Sequence, residues 1–139
     1  MSLSRLLAID YGEKRIGVAL SDPLQIISRP YRVLDNSGDA VFDEIKSIIR
    51  AENVGKVIVG LPLNLAGEDT LKTSEVRRFA EKLQAQIAEP LILWDERYST
   101  DEAHKALKSM KVSVREGRQI VDKIAASIIL QDYLENHPA

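Results

Sequence analysis

The stretch LLAIDYGEKRIGVALSD, residues 6–22, decides how the rest of the chain is read. Two apolar runs flank the polar insert DYGEKR, and a carboxylate, Asp10, closes the first run. RLLAIDY is apolar on both faces, the pattern of a central strand covered on both sides. GEKR is a tight connection in which Gly12 supplies backbone freedom. RIGVALSD then sets Ile16, Val18 and Leu20 against Gly17 and Ala19, which predicts a hairpin partner with one small-residue face. An aspartate at the end of such a buried strand has three readings: a turn residue, a phosphate-loop residue or a metal ligand.

Outward from that hairpin, YRVL (residues 31–34) predicts a third, shorter strand. DNSGDA (35–40) carries turn chemistry, and Val41, Phe42, Ile45, Ile48 and Ile49 recur at helical spacing. KVIVGLP (56–62) is a buried strand ended by Gly60 and Pro62, followed by the polar loop NLAGEDT. Val76, Phe79, Ala80, Leu83 and Ile87 form a second amphipathic helix, and PLILW (90–94) another buried strand. Ser99–Glu102 matches an S-x-x-E capping box and opens a helix through about Met110. KVSVREGR (111–118) reads as a loop, and a last helix runs from about Gln119 to Glu135. The order β-β-β-α-β-α-β-α-α predicts an α/β fold: a mixed five-stranded sheet flanked by helices.

With 139 residues and no linker or low-complexity segment, the chain is most simply one domain over residues 1–139. The absence of cysteine excludes disulfides and thiolate metal sites. Before Asp10 the apolar run is only four residues, shorter than a signal-peptide core, and no stretch approaches a membrane span. A cytoplasmic protein with no membrane partner is the expectation. Net charge is −2, so bulk charge does not advertise a nucleic-acid binder. Between Arg97 and Lys123, however, seven cations face four acids. That segment suits either a phosphate-tracking surface or a solvated helix face.

Carboxylates stand where packing explains them least. Asp10 ends the first strand, Asp95 and Glu96 follow the buried strand Leu91–Trp94, and Asp122 lies early in the apolar C-terminal helix. If the first and fifth strands lie side by side, Asp10 and the Asp95/Glu96 pair meet at one end of the sheet, where a crossing helix adds Asp122. Clustered carboxylates repel unless a cation neutralises them, and hard divalent ions prefer oxygen ligands. Two such ions about 4 Å apart suit hydrolysis of a phosphodiester. Each acid also has a plainer reading: a turn residue at Asp10, a partner of Arg97 or of Lys14–Arg15 at Asp95, a helix-dipole effect at Asp122. GLPLNLAG could offer backbone N–H groups to a phosphate, but it lacks the Walker and Rossmann patterns. His104 and His137 have no metal-pair spacing, and Ser99 is an N-cap rather than a nucleophile.

Four motifs in order resemble one family. DYGEKRIGVALSD (Asp10–Asp22), GLPLNLAG (Gly60–Gly67), WDERYST (Trp94–Thr100) and VDKIAASIIL (Val121–Leu130) are similar in sequence and spacing to the YqgF family, also called RuvX. The resemblance covers residue 6 to about 134. It implies a ribonuclease H-like fold akin to RuvC-type resolvases, and a nuclease of phosphodiester bonds. In that superfamily, acids on the first strand, after a later strand and on the C-terminal helix bind divalent metals. Carried over by motif rather than by strand count, they are Asp10, Glu96 and Asp122, as catalytic residues and as ligands of Mg²⁺ or Mn²⁺ in a two-metal site. Neighbouring strand residues point to opposite faces, which leaves the choice between Asp95 and Glu96 open; Glu96 is favoured and Asp95 is held as structural. Lys14, Arg15, Arg97, Arg115 and Arg118 would contact nucleic-acid phosphates.

The activity this implies is nucleolytic maturation of the 5′ end of pre-16S rRNA by a monomer or weak homodimer. Two alternatives stay open: resolution of branched DNA (Holliday junctions), and a module that grips structured nucleic acid without cutting. D-x-G-x-x-x-x-G also resembles the first phosphate loop of actin and sugar kinases, whose two related domains exceed 139 residues.

Overall fold

A computed structural model of the protein describes residues 3–96 and 114–137, with side chains in the last helix from residue 122 onward. Strands β1 (Arg5–Tyr11), β2 (Arg15–Ser21) and β3 (Ser28–Asp35) form an antiparallel meander. Helix α1 (Ala40–Ala51), strand β4 (Val54–Leu61), helix α2 (Leu71–Gln84) and strand β5 (Leu91–Asp95) follow, and helix α3 (Val114–Asn136) closes the described chain. β4 pairs parallel with β1, and β5 parallel with β4, in the order β3-β2-β1-β4-β5. The mixed five-stranded sheet expected of a ribonuclease H-like fold is therefore present.

Alternation along the central strands builds two cores. Leu7 and Ile9 of β1, Ile16, Val18 and Leu20 of β2, and Val57, Val59 and Leu61 of β4 face α1 and α2. Leu6, Ala8, Ala19 and Ile58 face the other way, onto Ala126, Ile129, Leu130, Tyr133 and Leu134 of α3, with Ile92 and Trp94 of β5. The small-residue face foreseen on the second strand is the α3 face. Gly17 continues it, and a Cβ there would collide with the backbone carbonyl of Asp122. Glycine at 17 therefore lets α3 lie directly on the sheet.

Four expectations are corrected. The third strand is eight residues long rather than a short YRVL. It is an edge strand containing Pro30, so its mostly half-exposed residues carry little of the apolar alternation that marks a strand. The last helix is already formed at Val114, so at least five of the eight residues of the proposed loop are helical; Gly117 costs that helix about 1 kcal/mol, too little to break it. Asp122 consequently sits in the third turn of α3, and the helix-dipole explanation of its position falls away. The first and fifth strands are not adjacent, because β4 lies between them. Gly12, finally, is not among the residues with positive φ; a Cβ there would run into the carbonyl of Arg15, so its role is to leave space.

Helix α2 starts at a capping box the sequence reading passed over. Thr70 accepts from the backbone N–H of Thr73, and the Thr73 hydroxyl accepts from that of Thr70. Ile87 lies beyond the end of this helix but still packs on the core. The proposed helix from Ser99 to Met110 lies outside the described residues.

Candidate metal-binding carboxylate site

The register of the sheet sets the site. Asp10 is opposite Gly17 on β2, and one step beyond the Ile9–Val59 pair it comes abreast of Gly60 on β4. Gly60 in turn is opposite Trp94 on β5. Because Leu6, Ala8, Ile58, Ile92 and Trp94 face α3, the same period of two puts Asp10, Gly60 and Glu96 on that face. Asp95 belongs with Leu91 and Leu93, which pack on the opposite core. The alternation that separates Asp95 from Glu96 thus sets Glu96 on the face of Asp10.

Strands β1 and β5 are two inter-strand spacings apart, about 10 Å, which is far for two carboxyl groups. Gly60 closes that gap. Having no side chain, it leaves a notch through which Glu96 crosses β4. A Cβ on Gly60 would stand 2.5 Å from Glu96 Oε1 and 2.6 Å from Ile129 Cδ1. Across the notch the carboxyl groups of Glu96 and Asp10 share a hydrogen bond. Burial, and then the charge of Asp10, push the Glu96 carboxyl up to about 7, with Asp95 adding to the rise. Lys72, in the first turn of α2, pulls the other way. At lower pH, Glu96 therefore holds a proton and donates it to Asp10.

A half-buried carboxyl pair sharing one proton fits a hard divalent cation, which can take the place of that proton. Among the described residues no third histidine, cysteine or carboxylate stands close enough to complete a group of three. Asp122 lies over β2 instead, where Arg15 Nε donates to its Oδ2 at 2.7 Å. Of the residues expected to bind nucleic acid, Arg15 is thus engaged with Asp122, and Lys14 is exposed on the β1–β2 turn. Arg97 and His104 lie outside the described residues, and only the backbone of Arg115 and Arg118 is described.

Sequence reasoning missed Gly60 and Lys72. It read Gly60 as a strand terminator and did not single out Lys72. The capping threonines place Lys72 at the start of α2, next to the carboxyl end of the sheet, so Thr70 was the available signal. The GLPLNLAG loop is tied internally: Asn64 Oδ1 accepts from Glu68 N at 2.8 Å, and Asn64 O accepts from Gly67 N at 2.9 Å. Gly67 supplies the positive φ of 82° that this turn needs.

The model of the RuvX family, described as Holliday junction resolvase, matches residues 4–136. A relative from Maridesulfovibrio salexigens named "Putative pre-16S rRNA nuclease" is 44% identical over 131 residues, covering 94% of this chain and 97% of its own. One of the same name from Syntrophus aciditrophicus is 42% identical, covering 94% and 88%. Among solved structures, T. thermophilus RuvC in complex with Holliday junction substrate aligns over 98% of each chain, with a TM-score of 0.60 and 12% identity. At that identity the likeness concerns the fold alone, and it is the ribonuclease H-like resolvase fold. By the span of the family match and the identity to these relatives, the chain belongs to the RuvX family.

Proposed function

We propose that the chain is a metal-dependent nuclease that hydrolyses phosphodiester bonds in the 5′ maturation of pre-16S rRNA. The observation that carries this is the Asp10–Glu96 carboxyl pair at the carboxyl end of a ribonuclease H-like sheet, in a chain whose relatives bear the pre-16S rRNA nuclease name. Asp10, Glu96 and Asp122 would hold Mg²⁺ or Mn²⁺ as a two-metal site. A bound divalent ion would activate water at neutral pH and offset charge building on the phosphate.

The chain's own residues prepare that chemistry. Glu96 gives up its shared proton as the ion is taken up, which links binding to pH. Gly60 keeps the notch open so that the two carboxyl groups converge. Arg15 exchanges Asp122 for a substrate phosphate, freeing that carboxylate to complete the site. Lys14, Arg97, Arg115 and Arg118 hold the backbone by contacts that carry no sequence information. The whole of residues 1–139 acts as one cytoplasmic nuclease domain, a monomer or weak homodimer.

A second reading is cleavage of branched DNA, favoured by the family's description and by the RuvC fold. Precursor rRNA and a four-way DNA junction, each incubated with Mg²⁺ or Mn²⁺ and with wild-type or Asp10→Asn protein, separate the two. Cleavage of the precursor near the 16S 5′ end by wild type alone is expected. Cleavage confined to the junction would replace the RNA reading with the DNA one. Binding without cleavage of either would reduce the chain to a non-catalytic module.

A further inference from the structure

A cavity of about 220 Å³ opens on the opposite face of the sheet from the carboxyl pair, between α1, α2 and the end of β1. Its floor is aromatic: the Tyr11 and Phe79 rings lie 4.7 Å apart, and Phe42 stacks on Phe79 at 5.4 Å. Its rim carries Asn36, Glu75, Arg78 and Lys82. Arg78 and Lys82 are four residues apart on α2, exposed, and taken up by no ion pair among the described residues. Asp39 also borders the cavity, so cations and acids balance, and a free phosphate is not what this lining selects.

A flat apolar floor with donors and acceptors around it is the chemistry of a nucleobase: stacking below, edge hydrogen bonds at the side, and a backbone phosphate on the cations. The volume lies under the roughly 300–1,000 Å³ of pockets for drug-sized ligands, on the scale of one base. Its position is the stronger argument. Tyr11 directly follows Asp10 in β1, so the carboxyl site and the cavity are one residue apart through the sheet. A strand crossing the carboxyl end of the sheet, with its scissile phosphate at Asp10, comes within reach of the cavity.

We propose that this cavity binds one unpaired base flanking the scissile phosphate, stacked on Tyr11 and anchored through its phosphate by Arg78 and Lys82. The site makes the enzyme select single-stranded or extruded nucleotides beside the cut. This inference rests on the nucleic-acid reading above.

The test is anisotropy of a fluorescein-labelled single-stranded RNA in EDTA, with full-length protein. A series of RNAs each lacking one base is titrated into wild type, Tyr11→Leu, Tyr11→Phe and Arg78→Ala/Lys82→Ala. Removing one particular base should weaken wild-type binding about tenfold, the size of one base-stacking contact. Tyr11→Leu should lose about the same and be insensitive to that base, while Tyr11→Phe keeps wild-type behaviour. The double variant, exposed on α2 and safe for folding, should weaken binding of intact RNA about tenfold and carries the test if Tyr11→Leu misfolds. Equal wild-type affinity for every base-deleted RNA, or wild-type affinity in the double variant, would overturn the proposal. Cleavage of the intact RNA with Mg²⁺ is scored separately, so a failed nuclease assay with a positive base scan rejects the catalytic reading and leaves the pocket standing.

Discussion

Gly60→Ala separates the geometry of the carboxyl site from the stability of the fold. The new Cβ would stand 2.5 Å from Glu96 Oε1, and ordinary contact starts near 3.4 Å, so the carboxylate must withdraw by about 0.9 Å. Both groups it meets first, Glu96 Oε1 and Ile129 Cδ1, are ends of flexible side chains that can yield. Overpacking of this kind costs about 1–3 kcal/mol, and replacing glycine in a strand returns about 0.5–1 kcal/mol, leaving a loss of at most about 2.5 kcal/mol. Catalysis is less forgiving, since a misplacement of about 1 Å costs about a hundredfold in rate. Urea denaturation and a cleavage time course with Mg²⁺, at matched folded fractions, measure the two effects. A hundredfold loss of cleavage beside a modest loss of stability is expected. Cleavage within threefold of wild type would refute the idea that the notch at Gly60 brings Glu96 to Asp10.

Three further outcomes follow from the same structure. Glu96 has its folded carboxyl raised from 4.5 to about 7, so the folded chain keeps a proton that the unfolded chain releases between those values. Metal-free stability should accordingly fall by about 3 kcal/mol as pH rises from about 4.5 to 7, and Glu96→Gln should flatten that slope in urea titrations at pH 5 and 8. Gly17→Ala drives a Cβ into the Asp122 backbone, which cannot swing aside, so α3 must move; a stability loss of about 3 kcal/mol is expected from thermal and urea unfolding. Thr70→Ala removes the α2 cap and should cost about 1 kcal/mol, with cleavage per folded molecule unchanged.

Much of this arrangement was legible before any coordinates. The first two strands were readable because RLLAIDY and RIGVALSD carry their burial in the residue pattern, and the small face of Gly17 and Ala19 marked where a helix lies close. Alternation along a strand showed that Asp95 and Glu96 point to opposite faces, while the choice of Glu96 rested on the family motif. What stayed hidden depends on neighbours distant in sequence. No local pattern shows that β4 separates β1 from β5, so the work done by Gly60 became visible only with the sheet order. The pairing of Arg15 with Asp122 joins residues 107 positions apart, and no local spacing announces it. The edge strand was undercounted because Pro30 and its exposed side chains look like a loop, and the early turns of α3 carry too little apolar periodicity to be told from one.

On the proposed reading, Asp10 and Glu96 would trade a shared proton for a divalent cation. Calorimetric titration of Mn²⁺ at pH 6, in buffers of different ionisation enthalpy, counts the protons released per ion bound. Release of close to one proton by wild type is expected, vanishing well above pH 7 and absent in Glu96→Gln. Mn²⁺ binding that releases no proton at pH 6, or that Asp10→Asn leaves unchanged, would contradict it.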